Sequence, residues 1–423
     1  MSTNATEASQ AYIANVAILR KKTVMESWYN TIWAKWSGNT DISMGDNGNV
    51  IYRPSGMPIE MFTDFVQQGR DNMLLPMRKR LVGDAVYGDA VLKGTGEDQD
   101  LDWLRMYVNQ YRKAVMAKSG EMQNQFVKLY NMTESAAPRL RDWLTQYENQ
   151  EVSRTFYEGL SQNISRGTND DGTGVYKRLH PNYYVNSSGT LAELGTAGST
   201  KTAANMTTGL GYTLLGLSSA ILQQLNPVMM AKRIPQIVSS KGHPYWAGII
   251  SPQQKIALLQ DDDFQAANRA AWQGAGTNAE LQGLVGHYLG FSFYEDLISV
   301  RAYDDASDSF FGTTQSAAFA PSTVTTNHNA IFFGNGAIGK GIAKNGTKFT
   351  TELDDHQNTE EVGLAVINGY NRADYFDDAV AGETAGGGAA NAFSKGNATA
   401  GVINAIPAIN QSSLILMTKP TLT

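Results

Sequence analysis

The stretch HPYWAGIISPQQKIALLQDDDFQAANRAAWQ, residues 243–273, carries the densest folding signals of the chain. Its short apolar run, Tyr245 to Ile250, predicts a buried strand. Ser251 and Pro252 follow, and these residue types suit the N-cap and first-turn positions of a helix that continues through QQKIALLQ. After a second helical stretch, the sequence GHYLGFSFYEDLISVR predicts a further strand from Tyr288 to Val300. Nothing in this block resembles a nucleophile, a base or a metal cage, so it predicts scaffold.

The length and composition of the chain limit its class. At 423 residues the chain exceeds the ~250 to 300 residues over which one core keeps growing, so two or more lobes are predicted. A hydrophobic content of 42% indicates a folded protein, whereas 41 Gly indicate many turns and extended loops. With a net charge of -6 and no long Lys/Arg run, only weak contact with nucleic acid is expected. The absence of Cys from the sequence excludes disulfides and thiol catalysis.

Two segments bear on targeting. The N-terminal sequence has no basic leader before its short apolar stretch, so no signal peptide is expected. Residues 202–231 are uncharged and long enough to raise the question of a membrane span. Polar residues interrupt this stretch and its apolar residues recur at steps of four and three, which predicts a helix buried on one side in a protein core. These residues are Leu210, Leu214, Leu217, Ile221 and Leu225.

The first 117 residues predict extended structure. Residues 1 to about 70 combine Trp28, Trp33 and Trp36 with turn sequences, which predicts an arm that needs a neighbour to cover its aromatic side chains. Residues 74–117 form two extended segments that flank a Gly-rich turn. Because two strands alone are marginally stable in water, this projecting loop is expected to be held by another subunit.

A helical pattern follows from Glu121 to Leu160, in two pieces. Thr133 or Ser135 would cap the second piece, and Pro138 would lie near its first turn. Residues 167–201 are rich in Gly, Asn, Ser and Thr, which predicts a loop at the boundary between two lobes.

The second lobe is predicted to contain strands around residues 330–333 and 363–370. Residues 381–400 are of low complexity and predict a surface loop. The apolar run at residues 414–417 predicts a closing strand.

The sequence GNGAIGKG, residues 334–341, satisfies GxGxxG and all but the last position of GxxxxGK[ST]. A phosphate-binding loop would use its backbone N–H groups, with Lys340 reaching the terminal phosphates. However, Gly341 replaces the hydroxyl residue that would bind Mg²⁺, and the following IAKNGTKFTTEL is too rich in turn and β-branched residues for a phosphate-binding helix. A turn is therefore preferred, and a nucleotide site is a remote alternative.

The remaining chemical patterns predict neither an enzyme nor a cofactor. The five His are scattered, without the close spacing of a zinc site. The run Asp261-Asp262-Asp263 lacks the alternating ligands of a calcium loop and predicts a solvated helix end. No GxSxG nucleophile motif occurs in the sequence.

Three stretches carry a resemblance to a known family: QGRDNMLLPMRKRLVGDAVYGDAVLKGTGEDQDL (68–101), HPYWAGIISPQQKIALLQDDDFQAA (243–267) and GLVGHYLGFSFYEDLISVR (283–301). In these stretches and in the order of its parts, the chain resembles the major capsid proteins of tailed double-stranded DNA bacteriophages with the Hong Kong 97-type fold. Among them it looks closest to the N-four-like coat proteins. The resemblance implies an α+β fold.

The parts implied by the resemblance have the following bounds: an N-terminal arm at 1–73, an extended two-stranded β loop at 74–117, a peripheral domain with a spine helix and a following loop at 118–202, an axial domain at 203–380, and a low-complexity loop with a C-terminal strand that returns to the core at 381–423. In this arrangement residues 334–341 would be an ordinary turn.

The resemblance also implies the function. Such a chain would self-assemble into pentamers and hexamers that form the icosahedral shell of a virion around the double-stranded DNA genome, after assembly in the host cytoplasm. Further partners would be a portal, a separate scaffold protein and a decoration protein. Contact with the packaged DNA would be weak and non-specific, and no membrane is implied. An encapsulin-like shell that encloses an enzyme is an alternative.

The candidate contacts between subunits lie in the arm and the extended loop. Aromatic residues and Arg favour the cores of interfaces, and basic side chains cluster in this loop. The candidates are Trp28, Trp33, Arg78, Lys79, Arg80 and Lys93.

Overall fold

A computed structural model of the chain describes residues 26–44, 50–62, 72–78, 85–89, 93, 101–116, 132–159, 161, 177–178, 180–193, 212–238, 242–274, 284–296, 328–354, 359–374, 404–405, 410 and 412–419. The expectations for residues 121–131, 167–176, 194–201 and 381–400 lie outside these residues. In its described part the loop predicted at 167–201 was wrong, because residues 183–187 and 190–193 are strands of the larger sheet.

The helices and strands of the described residues are distributed along the whole chain. The strands are β1 (Ser37–Asn39), β2 (Asp41–Met44), β3 (Val50–Arg53), β4 (Ile59–Phe62), β5 (Asn72–Arg78), β6 (Leu101–Tyr107), β7 (Asn109–Met116), β8 (Lys177–Arg178), β9 (Tyr183–Ser187), β10 (Thr190–Glu193), β11 (Ile237–Val238), β12 (Pro244–Ile250), β13 (Leu284–Tyr288), β14 (Phe291–Glu295), β15 (His328–Phe333), β16 (Ile338–Asp354), β17 (Thr359–Arg372), β18 (Asn404–Ala405) and β19 (Ser413–Thr418). The helices are α1 (Met132–Glu158), α2 (Ser219–Ala231), α3 (Pro252–Leu259) and α4 (Asp262–Gly274).

The larger sheet, which we call the axial sheet, has the strand order β10-β9-β19-β15-β12-β14-β13, with β11 paired to β12. Its central strands carry apolar runs, residues 330–333 in β15 and 414–417 in β19, and every residue of both strands is buried. Such continuous apolar runs are typical of strands that are covered on both sides. The predicted strands at 245–250, 330–333 and 414–417 are confirmed as β12, β15 and β19.

The second sheet, which we call the peripheral sheet, has the strand order β1-β4-β16-β17-β7. Helix α1 packs on it through Leu140 and Leu144, which share a buried cluster with Val362, Leu364 and Val366 of β17. Strands β16 and β17 form a long antiparallel hairpin, and β5 pairs with β6 in a separate two-stranded sheet. The predicted strand at 363–370 is therefore present within β17. The two-stranded excursion predicted at 74–117 is present only as β5 and β6, because residues 109–116 form β7, which pairs with β17 in the peripheral sheet.

The junction from β12 to α3 follows the sequence prediction. The side-chain oxygen of Ser251 accepts a hydrogen bond from the backbone N–H of Gln254, and the side chain of Gln254 accepts one from the N–H of Ser251. This reciprocal pair is a capping box, which satisfies two of the unpaired donors at the start of a helix. Pro252 follows Ser251 in the first helical turn.

The single strand predicted from Tyr288 to Val300 was wrong. The structure has a hairpin instead, β13 and β14, which reverses at Leu289 and Gly290 with φ angles of 47° and 82°. The sequence Leu-Gly between two apolar runs permits the left-handed turn because Gly adopts positive φ without strain. Residues 297–300 lie outside the described part of the chain.

The helix predicted from the apolar stripe at residues 210–225 begins later than expected, at Ser219. The preceding residues pair with the end of β9: Leu214 forms a bridge with Ser187, and the N–H of Leu215 donates to the carbonyl of Asn186. Because these backbone groups are used by the sheet, they cannot make helical hydrogen bonds. Leu217, Ile221 and Leu225 are nevertheless buried, as the stripe predicted.

Helix α1 also differs from its prediction at the N-terminus. It extends from Met132, so that Thr133 and Ser135 lie within the helix rather than at its cap, and Pro138 is an interior residue. A proline in the second turn removes one backbone donor. The sequence pattern placed the start of this helix too late.

Asp261 lies between two helices and caps both. One carboxylate oxygen accepts from the N–H and the hydroxyl of Ser219 at the start of α2, each at 2.9 Å. The other accepts from the N–H groups of Asp263 and Phe264 at the start of α4, each at 3.1 Å. Burial raises the pKa of Asp261, but these hydrogen bonds outweigh it and hold the pKa below its ordinary value. The run Asp261-Asp262-Asp263, predicted to be a solvated helix end, therefore begins with a residue that caps two helices.

Because the folded-state pKa of Asp261 is lower than its unfolded-state pKa, the stabilisation is complete above the unfolded value and is lost as the pH falls through the folded value. We expect Asp261→Ala to lower the free energy of unfolding by about 1 to 2 kcal/mol at neutral pH. This difference from the wild type should shrink in acid. Urea unfolding of the unassembled subunit at several pH values measures it. Asp261→Asn, which keeps the cap without the charge, is the control; an Ala variant with a pH-independent deficit would contradict the assignment.

Candidate assembly elements and the junction between the sheets

The extended hairpin β5–β6 is the first candidate assembly element. Its strands pair from Asn72↔Tyr107 to Arg78↔Leu101. Beyond them, Tyr87 is 81% exposed and Lys93 lies in an exposed turn. An aromatic side chain with this exposure is a feature of interaction surfaces. Of the basic candidates, Arg78 ends β5, and Lys79 and Arg80 lie outside the described residues.

The two tryptophan candidates do not lie on the surface. Trp33 is 0% exposed, and its ring lies 5.5 Å from that of Phe156 in α1 and 5.7 Å from that of Phe333 in β15. Trp28 is 6% exposed and stacks on Tyr370. The expectation that a neighbour covers these aromatic residues was therefore wrong, because the same chain buries them against both sheets.

The glycine-rich sequence 334–341 is the turn between β15 and β16 and the start of β16. The N–H groups of Gly334, Asn335 and Gly336 donate to carbonyls of Ser412, Pro235 and Met57. The N–H groups of the next two residues donate to the carbonyl of Pro58. A phosphate loop needs such N–H groups free to reach its ligand, and here each has a protein acceptor. This geometry contradicts the nucleotide-site alternative.

Gly334 is required by close backbone contact. A Cβ at this position would lie 1.8 Å from the carbonyl oxygen of Pro235, whereas a Cβ at Gly336 would meet nothing within 4 Å. We expect Gly334→Ala to shift the backbone and to lower the melting temperature by several degrees, since a clash with backbone cannot be relieved by a rotamer change. Gly336→Ala, whose φ is 66°, is the matched control and should cost only about 1 kcal/mol. Equal melting temperatures for the two variants would contradict this account.

Lys340, the lysine of this motif, is held in a buried ion pair. Its Nζ lies 3.2 Å from Oε1 of Glu148 in α1, and the two side chains are 4% and 1% exposed. The ammonium also lies 3.3 Å from the ring centroid of Trp28. Lys340 of β16 thus contacts both Glu148 of helix α1 and Trp28 of the N-terminal segment. A buried pair of this kind strongly destabilises the fold when only one partner is removed.

Two more donors converge on the same oxygen of Glu148. The hydroxyl of Tyr370 lies at 3.3 Å and the amide Nδ2 of Asn368 at 3.4 Å, and this Nδ2 also donates to the hydroxyl of Tyr111 at 2.9 Å. Burial lowers the pKa of Lys340, and Glu148 opposes this shift only in part. Burial, followed by the charge of Glu148, raises the pKa of Tyr370 well above its ordinary value.

A second buried network joins the two sheets. The guanidinium of Arg372, at the end of β17, donates to Asp374 at 2.8 Å and to the carbonyl of Phe156 in α1 at 2.6 Å. Asn410 donates to Asp374 at 2.9 Å and accepts from the N–H of Ser413, the first residue of β19. These contacts fix the end of the peripheral sheet to the central strands of the axial sheet.

Neither network was predicted from the sequence, although Lys340 was considered as a phosphate ligand. Glu148, Arg372 and Asp374 attracted no prediction because a single charged residue in a helix or strand is usually solvated. One signal was present: Lys340 and Arg372 interrupt apolar strand patterns at positions that the alternation assigns to the interior. Their partners are distant in sequence, so only the fold identifies them.

Exposed apolar side chains mark one end of the axial sheet, which we call the axial tip and define by Met230, Val238 and Leu289. They are 63%, 60% and 46% exposed. Asn226 of α2 donates to the carbonyl of Leu289, and Val238 pairs with Pro244 at the start of β12, which brings α2, β11 and the β13–β14 turn together. Clustered exposed apolar residues indicate an interaction surface.

The described part of the chain contains no cluster of three or more His, Asp or Glu side chains placed to bind a metal ion. His180 instead contacts the hydroxyl of Ser413 at 2.9 Å. No helix among the described residues is long and apolar enough to span a membrane.

The fold has counterparts among solved capsid structures. The capsid of Ralstonia phage GP4 matches with a TM-score of 0.55 at 15% identity, over 87% of this chain and 88% of that one. The capsid asymmetric unit of cyanophage Pam1 matches with a TM-score of 0.53 at 15% identity, over 92% of each chain. The head structure of Helicobacter pylori bacteriophage KHP40 matches with a TM-score of 0.53 at 10% identity, over 92% of this chain and 91% of that one. No curated protein matches in sequence.

Two packed sheets, a long helix along one of them and a projecting two-stranded hairpin define a phage capsid protein of the Hong Kong 97-type fold, α+β in class. The sequence profile of the phage capsid protein family matches residues 15–387. The chain belongs to this family, and it is a major capsid protein that builds the shell of a bacteriophage. The resemblance seen in the sequence is confirmed.

Proposed function

We propose that this capsid protein forms pentamers and hexamers that close an icosahedral shell around the double-stranded DNA genome, and that the β5–β6 hairpin is the principal contact to the neighbouring subunit. The observation that carries the proposal is the hairpin itself: two strands with an exposed tip are marginally stable alone, and Tyr87 there is 81% exposed. A neighbouring copy supplies the surface that buries it.

The axial tip is proposed as the second contact. Its apolar side chains would be covered by the axial tip of another copy, because identical subunits arranged around a rotation axis bring the same part of each chain together. Standard interfaces bury ~1,600 Å² in total, so a subunit that shares several of them is held firmly although each contact is modest. The basic residues Arg78, Lys79, Arg80 and Lys93 are proposed to contribute to the hairpin contact.

The interior of the shell is proposed to contact DNA only weakly. A net charge of -6 disfavours tight binding of phosphates, which lets packaged DNA move along the wall. Assembly in the host cytoplasm, with a portal, a separate scaffold protein and a decoration protein, completes the proposal. The role is structural rather than enzymatic.

Shortening the hairpin tests the assembly contact. Replacing residues 79–100 by Asn-Gly joins the paired residues Arg78 and Leu101 through a two-residue turn that suits antiparallel strands. The variant is expected to fold with an unchanged melting temperature but to remain unassembled in electron micrographs. Asp89→Ala, which keeps the length of the hairpin and changes an exposed residue outside the assigned contact residues, is the control and should assemble. A shortened variant that forms normal shells would overturn the assigned contact.

The contents of purified shells distinguish a viral capsid from an encapsulin-like shell. Shells with packaged double-stranded DNA from infected cells support the viral role, whereas shells from cells that contain a stoichiometric enzyme and no DNA would support the encapsulin-like alternative. Extraction and sequencing of nucleic acid, together with gel analysis of co-purifying protein, make the distinction.

A further inference from the structure

The face of the peripheral sheet opposite α1 contains three rows of residues across β16, β17 and β7. Directly paired residues share a face of a sheet, and so do residues two apart on one strand. Val362 and Leu364 of β17 pack under α1, so the residues that alternate with them belong to the opposite face. The rows on that face are Lys348–Ala365–Arg112, Thr350–Gly363–Ala114 and Glu352–Glu361–Met116.

The first of these rows, which we call the basic row, carries two cations. Arg112 and Lys348 are exposed, and neither forms an ion pair in the described part of the chain. They are two strand spacings apart, about 10 Å between Cα atoms. Ala365 between them is small, and Gly363 in the next row has no room for a side chain, since a Cβ would lie 2.8 Å from Oγ1 of Thr350. The two cations therefore flank a low strip of the sheet.

The far end of the β16–β17 hairpin is acidic. Four residues of its last strand pairs carry carboxylates, and we call them the acidic end: Glu352, Asp354, Glu360 and Glu361. Glu352 and Glu361 are directly paired in the register. Like charges at directly opposite positions of a sheet repel each other. The sequence 352–361 contains no Lys or Arg that could offset this repulsion.

The basic row and the acidic end stabilise each other little within one subunit. Lys348 and Glu352 are four residues apart on β16, a distance of about 13 Å along the strand. The Debye length is about 8 Å at physiological ionic strength, so exposed charges at this separation are largely screened. Each group of like charges would gain more from a partner outside the subunit.

We propose that the acidic end of one subunit docks on the basic row of a neighbouring copy. This contact presupposes the proposed assembly into a shell and is separate from the contacts of the β5–β6 hairpin and the axial tip. Copies related by a rotation axis can meet through two different surfaces, so that each copy gives one and receives one. A face with separated charges is complementary to a second copy of itself when the acidic end of one meets the basic row of the other.

Double-stranded DNA is a poorer occupant of the same face. Its phosphates would be attracted by Arg112 and Lys348 but repelled by the carboxylates about 13 Å away. A second copy, in contrast, satisfies both groups of charges. The small residues Gly363 and Ala365 also let the backbone of a docked hairpin end approach the sheet closely.

Reversing the charge of the basic row tests the contact. Arg112→Glu/Lys348→Glu is expected to keep the melting temperature of the subunit, because both side chains are exposed. The assembled fraction should fall by at least about tenfold, because like charges then face each other across the contact. Sedimentation velocity measures this fraction. Lys113→Glu/Arg139→Glu reverses two exposed cations on the α1 side of the sheet and is the matched control, which should assemble.

A second reversal tests whether the partner of the basic row is the acidic end. Adding Glu352→Lys/Glu361→Lys to the first variant exchanges the charges of both surfaces and should restore shells. A quadruple variant that folds but does not assemble would overturn the pairing. Normal shells from Arg112→Glu/Lys348→Glu that only retain less DNA would also overturn it, and would assign the basic row to DNA. If the wild type itself does not assemble, the proposed function fails and this contact fails with it.

Discussion

Arg372→Leu is expected to lower the free energy of unfolding by about 3 to 5 kcal/mol, the cost of leaving one partner of a buried ion pair alone. Arg372 is 0% exposed, and its loss strands the carboxylate of Asp374, which is also without solvent contact on its side chain. The change further removes the donor to the carbonyl of Phe156 at the end of α1. Because this network fixes the peripheral sheet to the axial sheet, assembly should fail together with stability.

Urea unfolding of the unassembled subunit measures the effect of Arg372→Leu. The double variant Arg372→Leu/Asp374→Leu should recover part of the loss, since it removes both charges. The recovery is only partial because the carbonyl of Phe156 loses its donor and the amide of Asn410 loses its acceptor. Arg112→Leu on β7, where the side chain is exposed, is the matched control and should change stability by less than about 0.5 kcal/mol. If Arg372→Leu and Arg112→Leu cost the same, the buried network does not hold the sheets together.

Trp33→Ala is expected to cost about 3 to 5 kcal/mol of folding free energy, the range for truncating a large buried side chain. The indole of Trp33 fills the space between Trp36, Phe156 and Phe333, at ring distances of 5.8 Å, 5.5 Å and 5.7 Å. It therefore connects the N-terminal segment to α1 and to the centre of the axial sheet. Calorimetry of the unassembled subunit should show a large fall in melting temperature.

Trp33→Phe is the control for the preceding variant. It retains an aromatic ring and removes an indole N–H that has no hydrogen-bond partner among the described residues, so the cost should be much smaller. This assignment would be contradicted if the isolated Trp33→Ala subunit were as stable as the wild type and only its assembly failed. Trp33 would then belong to the interface between subunits.

Local signals in the sequence predicted the elements that depend on near neighbours. Ser251 and Pro252 predicted the start of α3, and the apolar runs predicted β12, β15 and β19, because caps and buried strands are encoded within a few residues. The start of α2 and the reversal at Leu289 were not predicted. The start of α2 is displaced because Leu214 pairs with a strand that is distant in sequence. The reversal at Leu289 depends on a positive φ, which the apolar periodicity does not reveal.

The placement of charges and aromatics could not be predicted from pattern alone. The rings that pack against Trp33 lie in α1 and β15, and the ring that stacks on Trp28 is Tyr370 of β17. All three are more than a hundred residues away in the chain. Glu148 and Lys340 are likewise more than a hundred residues apart in the sequence. The resemblance gave the fold and the function, whereas the buried clusters required the geometry.

Electron microscopy of the purified protein, paired with light scattering for mass, tests whether the chain assembles into a shell. Closed shells, or rings of five and six subunits, are expected, in which the β5–β6 hairpin of each subunit lies on its neighbour. A homogeneous monomer or dimer at high concentration, which does not assemble when a scaffold protein or a crowding agent is added, would contradict it.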